Sequence, residues 1–213
     1  MREMCGRFAF QGQHWPDIVA DIDKPHFEPN YNICPQDSVP VIHLDAGNTA
    51  ITSMRWGLRP SWDKESTMEP INARIETVDS KPMFRDAYHH RRCLVPADGW
   101  YEWKTTPRGK VPFYHTLADQ MIVLMAGIYE QWKSDDGLLS TFTLLTRDAS
   151  PDIEHIHNRM PVLITPNEGT SWMERSLLSP TPSNILVHPV GREVNKTTAQ
   201  GPQLIQRIRT LFD

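Results

Sequence analysis

Two periodicities of apolar and polar residues run through this chain, each holding only over short stretches. MIVLMAGIY, from Met121 to Tyr129, and STFTLLT, from Ser140 to Thr146, are continuous runs of large apolar and β-branched residues and predict strands. The polar KSDDG between them predicts the turn of a hairpin, and PVLIT, from Pro161 to Thr165, predicts another strand. Helical spacing of Trp15, Ile18, Val19 and Ile22, with Pro16 suited to a first turn, predicts a short helix. SPDIEHIH offers Ser150 as an N-cap with Pro151 at the first helical position, and TPNE, from Thr165 to Glu168, has capping-box spacing. Leu204, Ile208, Leu211 and Phe212 share one stripe of a closing helix. Short strands, few helices and 18 dispersed prolines predict an α+β protein with many irregular connections.

Strand alternation singles out two segments. In INARIET, Ile71, Ala73 and Ile75 face one way, while Asn72, Arg74 and Glu76 form a polar stripe on the other. In DGWYEWK, Tyr101 and Trp103 share a face that reads as core, which leaves Glu102 on the other with Trp100 and Lys104, on a more polar or cleft-like surface. A lone carboxylate of this kind is most often exposed and inert, and a polar stripe is most often solvated. A third segment, IEHIHNRMP, sets His155 two residues before His157 without the spacing or the cysteine neighbours of a metal site. It reads as a turn presenting the His157 imidazole beside Arg159, and taken alone as a surface or core histidine.

Composition limits the classes open to the chain. Its 213 residues, 39% hydrophobic and 23% charged, suit one domain with its own core. The longest apolar run is too short to cross a bilayer and no signal peptide precedes it, so the chain reads as cytoplasmic with no membrane partner. The formal charge of −4 gives no global attraction to nucleic acid, so phosphate binding requires a local cluster of cations. Three cysteines without a C-x-x-C pair fit neither a disulfide framework nor a thiolate metal site, and Cys34 and Cys93 read as small buried residues. Cys5 is different. If translation begins at Met4, methionine removal leaves it with a free α-amine beside its thiol; if it begins at Met1, the bulky Arg2 prevents trimming and Cys5 stays within a peptide bond.

Blocks from one end of the chain to the other carry a family resemblance: MCGRF from Met4, YNICP from Tyr31, RWGLRPSW from Arg55, INARIET from Ile71, RRCLVPADGWYEWK from Arg91, AGIYEQW from Ala126, IHNRMP from Ile156 and HPVGREVN from His188. In this order they resemble the SOS-response-associated peptidase family, which includes proteins that crosslink to abasic sites in single-stranded DNA. The resemblance implies a single domain over residues 1–213, with 1–4 a leader or an upstream start. It implies a curved, partly closed, barrel-like antiparallel sheet flanked by short helices, acting as a monomer without metal or cofactor. It further implies that Cys5 captures the aldehyde of the abasic sugar through both amine and thiol, giving a thiazolidine. Glu102 and His157 would manage protons and Asn72 would orient the sugar or the cysteine. By the same resemblance Arg7, Arg74 and Arg159 grip phosphates, Asn32 lies in the DNA-binding set, and Pro35, Trp62 and Met83 stack on or wedge against bases beside the lesion. Arg85, Arg91 and Arg92 add charge nearby, or form a solvated helix face.

The chain departs from the family pattern at Cys34, where alanine is common, and in the Met1-Arg2-Glu3 extension, which would remove the amine unless synthesis starts at Met4 or the leader is cleaved, with Cys5 itself as a candidate for the cleavage. Three other readings stay open. An N-terminal-nucleophile hydrolase would share the cysteine-glycine start, although its downstream Asn-Gly and Gly-Asp elements are not found. A peptidase would pair Cys5 with His157, and a non-enzymatic binder would hold single strands without forming a covalent bond.

Overall fold

The computed structural model describes residues 6–62, 67–118, 121–134, 137–174 and 184–208. Its strands are β1 (Arg7–Phe10), β2 (Asn30–Ile33), β3 (Ser38–Asp45), β4 (Asn48–Trp56) and β5 (Asn72–Arg74), followed by helix α1 (Pro82–His90). Then come β6 (Arg92–Ala97), β7 (Gly99–Thr106), β8 (Gly109–Leu117), β9 (Val123–Ser134), β10 (Gly137–Asp148), β11 (Arg159–Pro161) and β12 (Leu163–Ile164). Helix α2 (Gly169–Met173) and β13 (Ile185–Pro189) complete the regular elements, apart from short 3-10 turns.

Antiparallel pairings link β4 to β3, β3 to β6, β6 to β9 and β9 to β10, and a parallel pairing of β10 with β4 at Thr141↔Arg55 closes the ring. The expected barrel-like, partly closed architecture is present as a closed five-strand barrel, whose ring leaves those strands no free edge, beside an open sheet. A second, open antiparallel sheet runs in the order β13-β8-β7-β1-β2. Strand alternation divides the barrel residues into two sets. Val41, Met54, Trp56, Cys93, Val95, Met125 and Phe142 pack with Phe8, Ile33 and Trp100 of the open sheet. Ile42, Leu94, Leu124, Ala126 and Ile128 pack with Phe84 and Ala87 of α1 and Trp172 of α2. A barrel this narrow cannot hold helices, so the first set fills it and the second is its outer wall. That explains RCLVPA: β6 is covered on both faces and every residue is buried. Phe8 meets Trp56 edge-on at 5.1 Å, joining the open sheet to the barrel interior. No helix among the described residues is long and apolar enough to cross a membrane.

The β9–β10 hairpin is in register from Gly137↔Ser134 to Leu144↔Gly127, as its apolar runs predict. TPNE also forms its capping box: the Thr165 backbone N–H donates to the Glu168 carboxylate at 3.3 Å ahead of α2. Three expected helices are not helices. At Trp15–Ile22 there is one 3-10 turn, Asp17–Val19, ended by the Lys24 ammonium, which donates to the Val19 and Ala20 carbonyls, and by Pro25. Its Trp15, Ile18 and Ile22 still pack on the core, so the spacing reports contact rather than length. SPDIEHIH is a string of turns, with Ile153 and Glu154 bonded back to Ser150, whose hydroxyl caps nothing. Near the C-terminus, Pro202–Ile205 is a 3-10 turn that buries Leu204; the chain then extends and Ile208 donates to the Pro189 carbonyl. Leu211 and Phe212 lie outside the described residues.

Two buried positions give stability predictions. A Cβ on Gly99 would lie 2.3 Å from the His115 carbonyl oxygen and 2.7 Å from the Tyr114 hydroxyl. Gly99→Ala must therefore separate β7 from β8, and urea unfolding is expected to show a loss of about 3 kcal/mol or more. His115 is 1% exposed and stacks on Trp100 at 4.9 Å. Burial, with His188 and His155 nearby, pushes its imidazole down to about 3; the Trp100 and Phe113 backbones offset this in part, and neither ring nitrogen completes a hydrogen bond of good geometry. The unfolded chain, with histidine near ~6.5, takes up a proton that the folded chain refuses. Stability from this residue is thus complete above that value and drains as pH falls toward 3, by about 3 kcal/mol at pH 4. In His115→Phe, which keeps the stacking, urea unfolding between pH 7 and pH 4 is expected to lose that slope.

Candidate active site

The site is built where β1 stops and β7 continues. Their register runs Ala9↔Gly99, Phe8↔Trp100 and Arg7↔Tyr101, so one further step sets Gly6 across from Glu102. Gly6, Arg7, Glu102, Trp103 and Lys104 line one wall of a cavity of about 520 Å³, and residues 154–158 line the opposite wall. Cys5 lies outside the described residues, but it immediately precedes a residue of this cavity. Glu102 is 3% exposed, so the residue expected on an accessible strand face is in fact buried. The turns after β10 cover it and deliver His157, whose Nδ1 is 3.9 Å from Glu102 Oε2. The Arg159 backbone N–H donates to the same Nδ1 at 3.2 Å, and the Arg159 carbonyl oxygen is also 3.2 Å away. This ring nitrogen thus has a donor facing it when it is bare and acceptors facing it when it is protonated, as a proton carrier requires. His155 lines the cavity but is exposed.

Asn72 and Arg74 lie on β5, which runs parallel to β10 at Leu144↔Asn72 and Thr146↔Arg74. The alternation read from INARIET holds: Ala73 is buried, Arg74 and Glu76 are exposed, and Asn72 is half-buried. Ile71, next to Asn72, reaches within 4.0 Å of where a Gly6 Cβ would stand, which brings β5 beside the beginning of β1.

Two residues expected at DNA are committed within the protein. Asn32 is 0% exposed. Its amide nitrogen donates to the carbonyls of Lys196 (2.9 Å) and Ala199 (3.1 Å), and its oxygen accepts from Arg7 Nη1 at 2.8 Å. It orients Arg7, which also donates to the Val194 carbonyl. Arg159 is buried, with Nη1 and Nη2 each 2.8 Å from Glu76, Nη1 2.6 Å from Asp148 and Nη2 2.7 Å from the Thr146 carbonyl. Its guanidinium holds the Glu76 carboxyl below the usual carboxylate range and ties the end of INARIET to the His157 turn. As it stands, the donors expected to grip phosphate are taken up by carboxylates.

None of the expected stacking residues lines the cavity: Trp62 is 58% exposed, Pro35 is half-buried, and Met83, on α1, packs with the outer wall of the barrel. Arg85 is exposed on α1, but Arg91 is paired with Asp86 and Glu130. Arg92 is no part of a solvated helix face; it is buried between the Tyr88 and Trp172 rings, 4.3 and 4.5 Å from their centroids. Cys34 and Cys93 are buried free thiols, and burial pushes both above the ordinary thiol range. Among the described residues no group of three His, Cys, Asp or Glu side chains is placed to hold a metal ion. Lys104, Lys110 and Asn195 also line the cavity, without a role in the family motifs above, although Lys104 and Asn195 lie within the matching blocks. Asn195 accepts from Trp103 Nε1 at 2.8 Å.

With this geometry in hand, comparison with known proteins is direct. The family model for the SOS response associated peptidase (SRAP) matches residues 4–197, and the chain belongs to that family. It is 33% identical to the abasic site processing protein YoqW of Bacillus subtilis, over 95% of this chain and 99% of that protein. It is 31% identical to the abasic site processing protein YedK of Escherichia coli, over 96% and 100%. Among solved structures, a Bacteroides thetaiotaomicron protein superposes with a TM-score of 0.81 at 25% identity, covering 96% of this chain and all (100%) of that one.

Proposed function

We propose that the chain captures abasic sites in single-stranded DNA as a stable covalent adduct of Cys5, acting as a monomer. The observation that carries this reading is the buried Glu102 carboxylate 3.9 Å from His157, in a cavity whose wall begins at the residue after Cys5. That the relatives are named abasic site processing proteins supports it.

The α-amine of a mature Cys5, with an ordinary pKa of ~7.7–8.0, is partly neutral at physiological pH and adds to the C1 aldehyde of the ring-opened sugar. The carbinolamine hydroxyl takes a proton and leaves as water, giving an imine. The thiol then adds across the C=N bond: sulfur bonds to carbon, nitrogen takes the proton, and a thiazolidine closes. Glu102 and His157 supply and withdraw these protons, each within reach of the other. Asn72 orients the sugar or Cys5, and Arg7, Arg74 and the exposed Trp62 meet the flanking strand, with Pro35 and Met83 at its edge. Arg159 serves through the His157 turn it anchors, and Asp148, its most exposed partner at 87%, is the group a phosphate would displace.

The active form begins at Cys5, so residues 1–4 are absent from it, through a start at Met4 or by removal of a leader. Incubation with an oligonucleotide carrying one abasic site tests the proposal. Intact mass should show a heat-stable 1:1 adduct, lighter by one water than the sum of its parts, and none with undamaged strand. An adduct formed equally fast by protein that retains residues before Cys5 would sink it.

A further inference from the structure

The cavity holds cationic side chains that the catalytic assignment leaves unused. β7 is paired on both sides only as far as Tyr101; from Glu102 to Thr106 it pairs, among the described residues, with β8 alone. The cavity follows this stretch, and Lys104, Thr105 and Lys110 line it beyond Glu102. Lys104 is two residues from Glu102 on the same face, about 7 Å along the strand, within reach of a phosphate attached to a sugar held at Glu102.

Two other cations of the site already spend part of their donor capacity within the protein. Arg7 Nη1 is bonded to Asn32 and Val194, and the Arg159 guanidinium to Glu76, Asp148 and Thr146. Neither Lys104 nor Lys110 forms an ion pair or side-chain hydrogen bond with another described residue. Lys104 is half-buried in the cavity wall, and Lys110, paired across the hairpin with Thr105, is exposed where the neighbouring strand edge meets the same cavity. Two carboxylates, Glu102 and Glu154, also line the cavity and would repel a polyanion entering without counter-charge. In a chain of net charge −4, a phosphodiester must be drawn by such a local concentration of positive charge.

We propose that Lys104 and Lys110 form a phosphate subsite for the DNA backbone joined to the captured sugar. The inference rests on the function proposed above, and its test separates the two. The mature protein and its Lys104→Gln, Lys110→Gln double variant are compared for adduct formation with an abasic oligonucleotide over a range of potassium chloride concentrations. Free 2-deoxyribose serves as an uncharged aldehyde. For the variant, the second-order rate constant at low salt should fall about tenfold, and its log–log dependence on salt should become shallower by about 1.4, near 0.7 for each lost phosphate contact. The rate at saturating oligonucleotide and the reaction with deoxyribose should be those of the parent. A parental salt slope, or an equal loss with deoxyribose, overturns the subsite. A parent that captures neither aldehyde overturns instead the function on which the subsite rests.

Discussion

Cys5→Ala, produced so that the alanine is the first residue, is expected to form no heat-stable adduct with abasic DNA. The substitution keeps the α-amine and removes only the thiol, so imine formation continues and remains reversible. Borohydride added during the reaction should then trap the variant by reducing the C=N bond, while the parent needs no reductant. The contrast isolates ring closure by sulfur as the step that makes capture permanent. Binding of undamaged single strands should be unchanged. A heat-stable product from Cys5→Ala without reductant would move the nucleophile elsewhere in the chain.

The second large effect is expected at Glu102. Glu102→Gln keeps the shape of a side chain that is 3% exposed, and removes the proton-exchanging group that the proposed mechanism uses 3.9 Å from His157. Proton transfer by a positioned group typically contributes about 10²–10⁴-fold, so adduct formation at saturating DNA should slow by about 10²–10³-fold. Affinity for undamaged strands should not fall, since the substitution takes a negative charge from the cavity wall and removes no phosphate contact. Parental rates for the variant would remove Glu102 from the chemistry, and a parallel loss of thermal stability would assign it a structural role.

The parts of the fold legible in the sequence were those specified locally. The β9–β10 hairpin is announced by two apolar runs around a polar turn, and the capping box of Thr165 and Glu168 is a matter of spacing within one turn. The parallel β4–β10 pairing that closes the barrel joins Arg55 to Thr141, and no local period encodes a partner so distant. The helices expected around Ile18 and Ile153 failed because periodic apolar contacts can be made equally by 3-10 turns folded onto a core. The same locality governs the site. Alternation in DGWYEWK placed Glu102 opposite Tyr101 and Trp103, yet it could not show that the turns carrying His157 cover that second face. Family motifs named Asn32 and Arg159, but burial and partners come only from the assembled fold, and it commits both side chains to internal bonds. Lys104 lay in plain view within YEWK, where a strand-end lysine ordinarily reads as a solvated charge.

Asn32 fastens the carbonyls of Lys196 and Ala199, and through its oxygen it sets Arg7, the second residue after Cys5. The opening of the chain is therefore held by almost its last segment. During synthesis Arg7 leaves the ribosome while the residues that brace it are still to be translated. Residues 194–199 must therefore be made before the bonds that hold Arg7 and Asn32 can form.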